Sequence, residues 1–292
     1  MLDRNFFDTL QRLRLRMWHK SSLNMSGNRK SMHKGMSAEF SDFREYMPGD
    51  DLRRMDWNVY ARLDKLYIRE YMEEKEAVVS VLIDTSASMD YGAESKAELA
   101  RDLAAVVSYL ALSNMDRLRL YDIKDLSRGL VVGGGRSAFP RVLHWLERLD
   151  FSGQADMLGA ARKLRPRGPG VTVLISDFLQ EGMLDETAAD YEKLLQYLQY
   201  CRQRPVVLHT MASEELRVSL EGALNLIDAE SRSQLRLTVD AKAIDCYERE
   251  LERLTDRMKK GCAKGRGTYV LCDTGRDRNR LVFQDLKVIY DI

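Results

Sequence analysis

The chain has 292 residues and a formal net charge of +1, enough for one large domain with an extension and without a global signature for nucleic acid or an anionic surface. Cys201, Cys246, Cys262 and Cys272 form no Cys-x-x-Cys pair, and His19, His33, His144 and His209 are dispersed, which excludes a zinc knuckle, a redox pair and a histidine-rich metal site. Scattered thiols, no apolar run of membrane-spanning length and no signal-peptide pattern make a cytoplasmic protein the expectation.

Charge is nevertheless uneven. Residues 1–36 hold eight Lys or Arg against Asp3 and Asp8, a net of +6 that leaves −5 for the remainder. Leu2, Phe6, Leu10, Leu13 and Met17 fall on one helical stripe flanked by Arg12, Arg16 and Lys20. Such a helix packs on its own domain or lies on an anionic membrane, and the first reading is the commoner. Residues 21–34 read as a linker. From Gly35 to Tyr71 the chain is dense in charge, aromatics and turn residues, ending in a strand near Leu66–Tyr71. Arg44, Asp50, Asp51, Arg53, Asp56 and Arg62, interleaved with Tyr46 and Trp57, form either a surface salt-bridge network or a partner-binding surface.

Val78–Ile83 is a nearly continuous apolar run, the pattern of a buried parallel strand. A helix follows over Glu94–Ser113, then strands at Leu118–Ile123 and Gly129–Val132. Gly133-Gly134-Gly135 lacks the Gly-Lys-Ser/Thr of a phosphate-binding loop and reads as a turn. Helices at Ser137–Leu149 and Asp156–Leu164 lead to a second apolar strand at Val171–Ile175. A helix at Tyr191–Arg202, a strand at Pro205–Met211, an amphipathic helix through Ile244–Met258 and a strand at Tyr269–Cys272 complete the pattern. The alternation predicts an α/β fold with a doubly wound, mostly parallel sheet and an N-terminal extension. The expected divisions are 1–34, a basic helix and linker; 35–75, the extension; 76–240, the α/β domain; and 241–292, a helix and strand completing it.

Both apolar strands end on an acid. Asp84-Thr85-Ser86-Ala87-Ser88 follows the first, and Ser176-Asp177 closes the second. Open α/β sheets bind ligands outside the carboxyl ends of their strands. Asp84, Ser86, Ser88 and Asp177 supply hard oxygen donors there, suited to Mg²⁺ or Mn²⁺. The competing reading makes the serines and Asp177 helix caps or turn residues.

This combination resembles a von Willebrand factor A domain, in which Asp-x-Ser-x-Ser, a loop threonine and a later strand-end aspartate build a metal-ion-dependent adhesion site. The resemblance implies that Ser86 and Ser88 bind the cation directly, that the acids act through water, and that the last position takes a partner's carboxylate. The blocks Arg44-Glu45-Tyr46-Met47-Pro48-Gly49-Asp50-Asp51, Asp56-Trp57, Ala61-Arg62 and Leu226-Ile227-Asp228-Ala229-Glu230 resemble the bacterial family of domain of unknown function 58. Members are often encoded beside MoxR-type AAA+ ATPases, so the likeness implies an adaptor working with such an ATPase or an acidic client. Many members carry transmembrane helices; this chain resembles the soluble kind. It departs from the pattern at Gly153-Gln154-Ala155-Asp156-Met157, where Ala155 stands in place of the threonine and Asp156 is the candidate compensating ligand.

The expected function is therefore a non-enzymatic interaction adaptor. The alternatives are a Mg²⁺-dependent phosphotransferase or hydrolase using Asp84 and Asp177, weakened by Ser86 where Asp-x-Asp is needed and by the lack of an evident lysine, and a peripheral membrane scaffold held by the first helix. Membrane contact is not favoured, and no nucleic-acid partner is expected.

Overall fold

The computed structural model describes Phe6, Leu10 and residues 38–73, 77–166, 168–179, 189–219, 222–230 and 232–289. The chain folds as two units, one of Ser22–Glu76 and one of Met1–Ser21 with Ala77–Ile292.

In the smaller unit, β1 (Ala38–Glu45) runs antiparallel to β2 (Tyr67–Glu73), with helix α1 (Trp57–Leu63) between them. Strand β1 leaves no strand pattern in the sequence, for a physical reason. Its register shifts between Phe40 and Asp42, and an inserted residue breaks the alternation that marks a strand. Met47-Pro48-Gly49-Asp50 closes a turn in which Asp50 N donates to Met47 O at 3.0 Å. Proline pre-sets one central position, and Gly49 at φ +106° takes the left-handed one that a side chain resists.

The larger unit is built on β3 (Val78–Ile83), α2 (Lys96–Ser113), β4 (Arg117–Asp122), β5 (Leu130–Val132), α3 (Phe139–Glu147), α4 (Met157–Leu164), β6 (Gly170–Ser176), α5 (Ala189–Tyr200) and β7 (Gln203–Met211). After a hairpin of β8 (Gly222–Ile227) and β9 (Gln234–Val239), α6 (Ala241–Lys264) and β10 (Thr268–Asp273) follow. Six strands form one sheet in the order β10-β7-β6-β3-β4-β5, parallel except for the edge strand β5. This is the expected doubly wound sheet, with sequence neighbours running outward in both directions from the β3–β6 junction.

Strand alternation assigns the two faces. Val79, Val81 and Ile83 join α2, α3, Leu281 and Leu286 in one core, while Leu82 and Leu174 join α4, α5 and Met258 in the other. Each large apolar side chain so buried contributes roughly 1.5–3 kcal/mol. Phe6 and Leu10 are helical and buried in the first core, Phe6 with its ring 5.5 Å from that of Phe283. The other stripe residues, Leu2, Leu13 and Met17, with Arg12, Arg16, Lys20 and the 21–34 segment, lie outside the described residues.

The β8–β9 hairpin was not expected from the sequence. Both strands are largely exposed, Ile227 and Leu235 included, so burial does not select a strong periodic pattern. The glycine run after β5 is a close crossing: a Cβ on Gly134 would stand 2.2 Å from the Met115 carbonyl oxygen. Gly134→Ala should therefore cost about 1–3 kcal/mol, the usual range for overpacking, measured as a lower urea midpoint with unchanged slope.

Candidate functional site at the β3–β6 junction

The two central strands end side by side, where a doubly wound sheet opens its crevice. The Asp84 amide continues the ladder to the Ile175 carbonyl at 2.9 Å. Asp84 Oδ1 accepts from the Ser86 amide at 3.0 Å, and its Oδ2 accepts from the Ser176 hydroxyl at 2.5 Å. Burial pushes the Asp84 pKa up, the nearby charge of Asp177 adds to this, and hydrogen bonds from Ser176 and Ser86 oppose it.

The loop after Asp84 is pinned on both sides. Thr85 Oγ1 donates to Asp122 Oδ1 at the end of β4, at 2.5 Å. Ser152 N donates to Thr85 O, and Ala87 N to Gly153 O, both at 2.9 Å. Ser86 sits at the start of a 3-10 turn (Ala87–Met89), yet its side chain makes no cap. Its hydroxyl lies 3.0 Å from that of Ser88. Two cis ligands about 2.1 Å from an octahedral Mg²⁺ are also about 3 Å apart, so the pair has the spacing of a coordination edge as well as of a hydrogen bond. Among the described residues, no three His, Cys, Asp or Glu side chains are grouped to hold a metal. A cation here would need the serine hydroxyls.

Asp177 holds the turn after β6 and also carries an ion pair. Its Oδ1 accepts from Leu179 N at 3.1 Å, and its Oδ2 pairs with the Lys96 ammonium at 2.8 Å. Lys96 Nζ also pairs at 2.7 Å with Glu215, on the helical turn Ser213–Leu216 after β7. Burial works to lower the Lys96 pKa, but the charges of Asp177 and Glu215 outweigh it and hold it above its ordinary value. A lysine thus stands beside the acids, fully buried and engaged by two carboxylates. One signal was available: Lys96 lies on the helical face of Leu99, Ala100 and Leu103, where an apolar residue is expected.

His209 on β7 closes the floor. Its Nε2 faces the Asp177 carbonyl at 3.0 Å, and its Nδ1 faces the Tyr269 hydroxyl at 2.7 Å. A carbonyl only accepts, so Nε2 carries the proton and Nδ1 accepts from tyrosine.

The remaining candidates separate. Asp156 is exposed and caps α4, its Oδ1 accepting from Gly159 N at 2.7 Å. Ala155 and Asp156 line a cavity of about 400 Å³ with Lys124 and Gln154, so Asp156 stands at the loop's flank as a cap. In the smaller unit, Arg44 pairs with Asp50 at 2.9 Å, Asp50 also accepts from Met47 N, Asp51 accepts from Arg53 N, and Asp56 caps α1 through Asn58 N and Val59 N. These acids and Arg44 organise the turns of their own unit. Trp57 is 63% exposed, with Leu63, Leu52 and Met47 also exposed, and Arg53 and Arg62 project from the same segment.

A doubly wound α/β domain with an Asp-x-Ser-x-Ser loop at its switch point is the class that the fold and site define. The chain belongs to the family described as Protein of unknown function DUF58, whose model matches residues 42–256. An uncharacterized protein of Mycobacterium tuberculosis is 30% identical over 178 residues, covering 58% of this chain and 56% of its own length. The chain thus spans about half the length of the curated relatives it matches. Similar solved structures include a von Willebrand factor type A protein from Catenulispora acidiphila, with 13% identity, TM-score 0.43, and coverage of 89% of this chain and 51% of that one. Another is the conserved hypothetical protein BatB from Bacteroides thetaiotaomicron, with 14% identity, TM-score 0.41, and coverage of 73% and 98%.

Proposed function

We propose that this chain is a non-enzymatic protein-interaction adaptor whose working edge is the loop of Asp84, Ser86 and Ser88 beside Asp177. On this reading the edge takes Mg²⁺ or Mn²⁺ and presents it to an acidic group on a partner, a MoxR-type AAA+ ATPase or its client. The observation that carries it is the pinned pair of hydroxyls, 3.0 Å apart, beside a buried carboxylate at the switch point. The donors are hard oxygens, and the acids around them outnumber the buried ammonium of Lys96, so a divalent cation suits both the ligand type and the local charge. The ATPase assignment rests on the family likeness of the 35–62 block, and exposed Trp57, Arg53 and Arg62 offer a second contact surface.

Four unpaired cysteines favour a cytoplasmic setting. Among the described residues, no helix is long and apolar enough to cross a membrane. Burial of Phe6 and Leu10 spends part of the apolar face that a membrane-lying helix would need, which weighs against the scaffold reading.

Pull-down of the ATPase with wild type and Asp84→Ala, each with Mg²⁺ or EDTA, tests the proposal. Recovery should fall at least tenfold in EDTA and in the variant. Equal recovery in all four arms removes this edge from the binding mechanism. Turnover of phosphate esters that requires Mg²⁺ and disappears in Asp84→Asn would replace the adaptor reading with an enzymatic one.

A further inference from the structure

The turn between β8 and β9 brings one more carboxylate to the same edge. Asp228 N donates to Ser233 O at 2.9 Å, and Glu230 N donates to Asp228 Oδ1 at 3.2 Å, which sets where Glu230 projects. The Ser88 hydroxyl interacts with the Glu230 carboxylate, and the charges of Asp84 and Asp177 act on it as well. Its Oε1 is buried without a hydrogen-bond partner. Leaving a buried acceptor unsatisfied is costly, and more so for a charged group. Here the cost is compounded by the like charges beside it. The Ser88 hydroxyl answers part of this carboxylate, while Oε1 and the like charges beside it have no counterpart.

A cation would answer these features together. It would satisfy the orphan Oε1, use the two cis hydroxyls of Ser86 and Ser88, and offset the surplus of carboxylates over Lys96. It would also resolve the departure at Ala155, whose methyl group cannot coordinate. We propose that Glu230 is a direct ligand of the divalent cation at Ser86 and Ser88, supplied from the β8–β9 turn in place of the hydroxyl missing at residue 155. The inference rests on the cation reading above and adds a ligand to it. One consequence is mechanical: a bound cation ties the exposed hairpin 222–239 to the end of the central sheet.

Mn²⁺ titration of the full chain, by calorimetry and by the electron paramagnetic resonance signal of free Mn²⁺, tests this with wild type, Glu230→Gln, Asp84→Asn and Glu230→Gln/Ala155→Thr. Wild type should bind, Glu230→Gln should lose at least tenfold in affinity, and the added threonine should recover part of that loss. Hydrogen exchange of the 222–239 amides should slow with Mn²⁺ in wild type and stay unchanged in Glu230→Gln. In EDTA the Glu230→Gln variant should melt no lower than wild type, because the substitution removes repulsion; a large drop there would mean that Glu230 is a structural residue and would overturn the proposal. Equal Mn²⁺ affinity in wild type and Glu230→Gln, with loss in Asp84→Asn, would overturn the role of Glu230 while leaving the cation reading in place. No Mn²⁺ binding by wild type would overturn both.

Discussion

Lys96→Met should destabilise the larger unit by about 3–5 kcal/mol, the range for removing one partner of a buried ion pair. The ammonium bridges Asp177 at 2.8 Å and Glu215 at 2.7 Å, and both its own side chain and that of Asp177 are fully buried. Methionine fills similar volume, so the loss reports charge rather than a cavity. Without the ammonium, Asp177 keeps one backbone donor, from Leu179, beside the buried carboxylate of Asp84. Urea denaturation at neutral pH measures the effect. Lys96→Met/Asp177→Asn should recover most of the loss, since neutralising the stranded acid removes the main penalty. A single variant as stable as wild type would show that the bridge contributes little in solution.

The second large effect is a loss of stability in mild acid caused by His209. Burial lowers its pKa to about 4 from an ordinary value near 6.5. The folded state therefore prefers the neutral ring more strongly than the unfolded chain does. The associated stability is complete above about pH 6.5 and is lost as pH falls toward 4, by about 3 kcal/mol at most. Desolvation is the cause: the ring is fully buried, the Lys96 charge adds to the lowering, and the charge and carbonyl of Asp177 only partly offset it. His209→Gln retains an N–H donor and cannot titrate. The difference between wild-type and variant stability should thus change steadily between pH 6.5 and 4 and be flat above that window. Asp84 runs the other way: its raised pKa adds relative stability as pH falls, which is why the difference profile, and not the wild-type curve, is diagnostic.

How much of this was legible depends on the range of the interactions. Strands β3 and β6 are buried on both faces, so continuous apolar runs betray them, and their terminal acids are visible at once. The edge ribbon β1–β2 and the exposed hairpin β8–β9 carry no such pressure; a bulge in the first and exposure in the second erase the pattern. The charged block 44–62 reads in sequence as either a salt-bridge network or a partner-binding surface. Its acids proved to hold a Pro-Gly turn and cap a short helix, a local task that Asp performs well and that spacing alone does not distinguish from recognition.

The sequence by itself therefore determined the alternating architecture, the doubly wound sheet, and the two strand-end acids Asp84 and Asp177, because each follows from patterns within a few residues. Only the tertiary structure decided what surrounds those acids. Lys96 reaches Asp177 across 81 positions, Glu215 reaches Lys96 across 119, and Glu230 arrives from a turn beyond β7. Such contacts leave no local periodic trace. They exist because burying carboxylates at a sheet edge demands compensation from whatever elements the fold brings there, and that demand is met in space rather than along the chain.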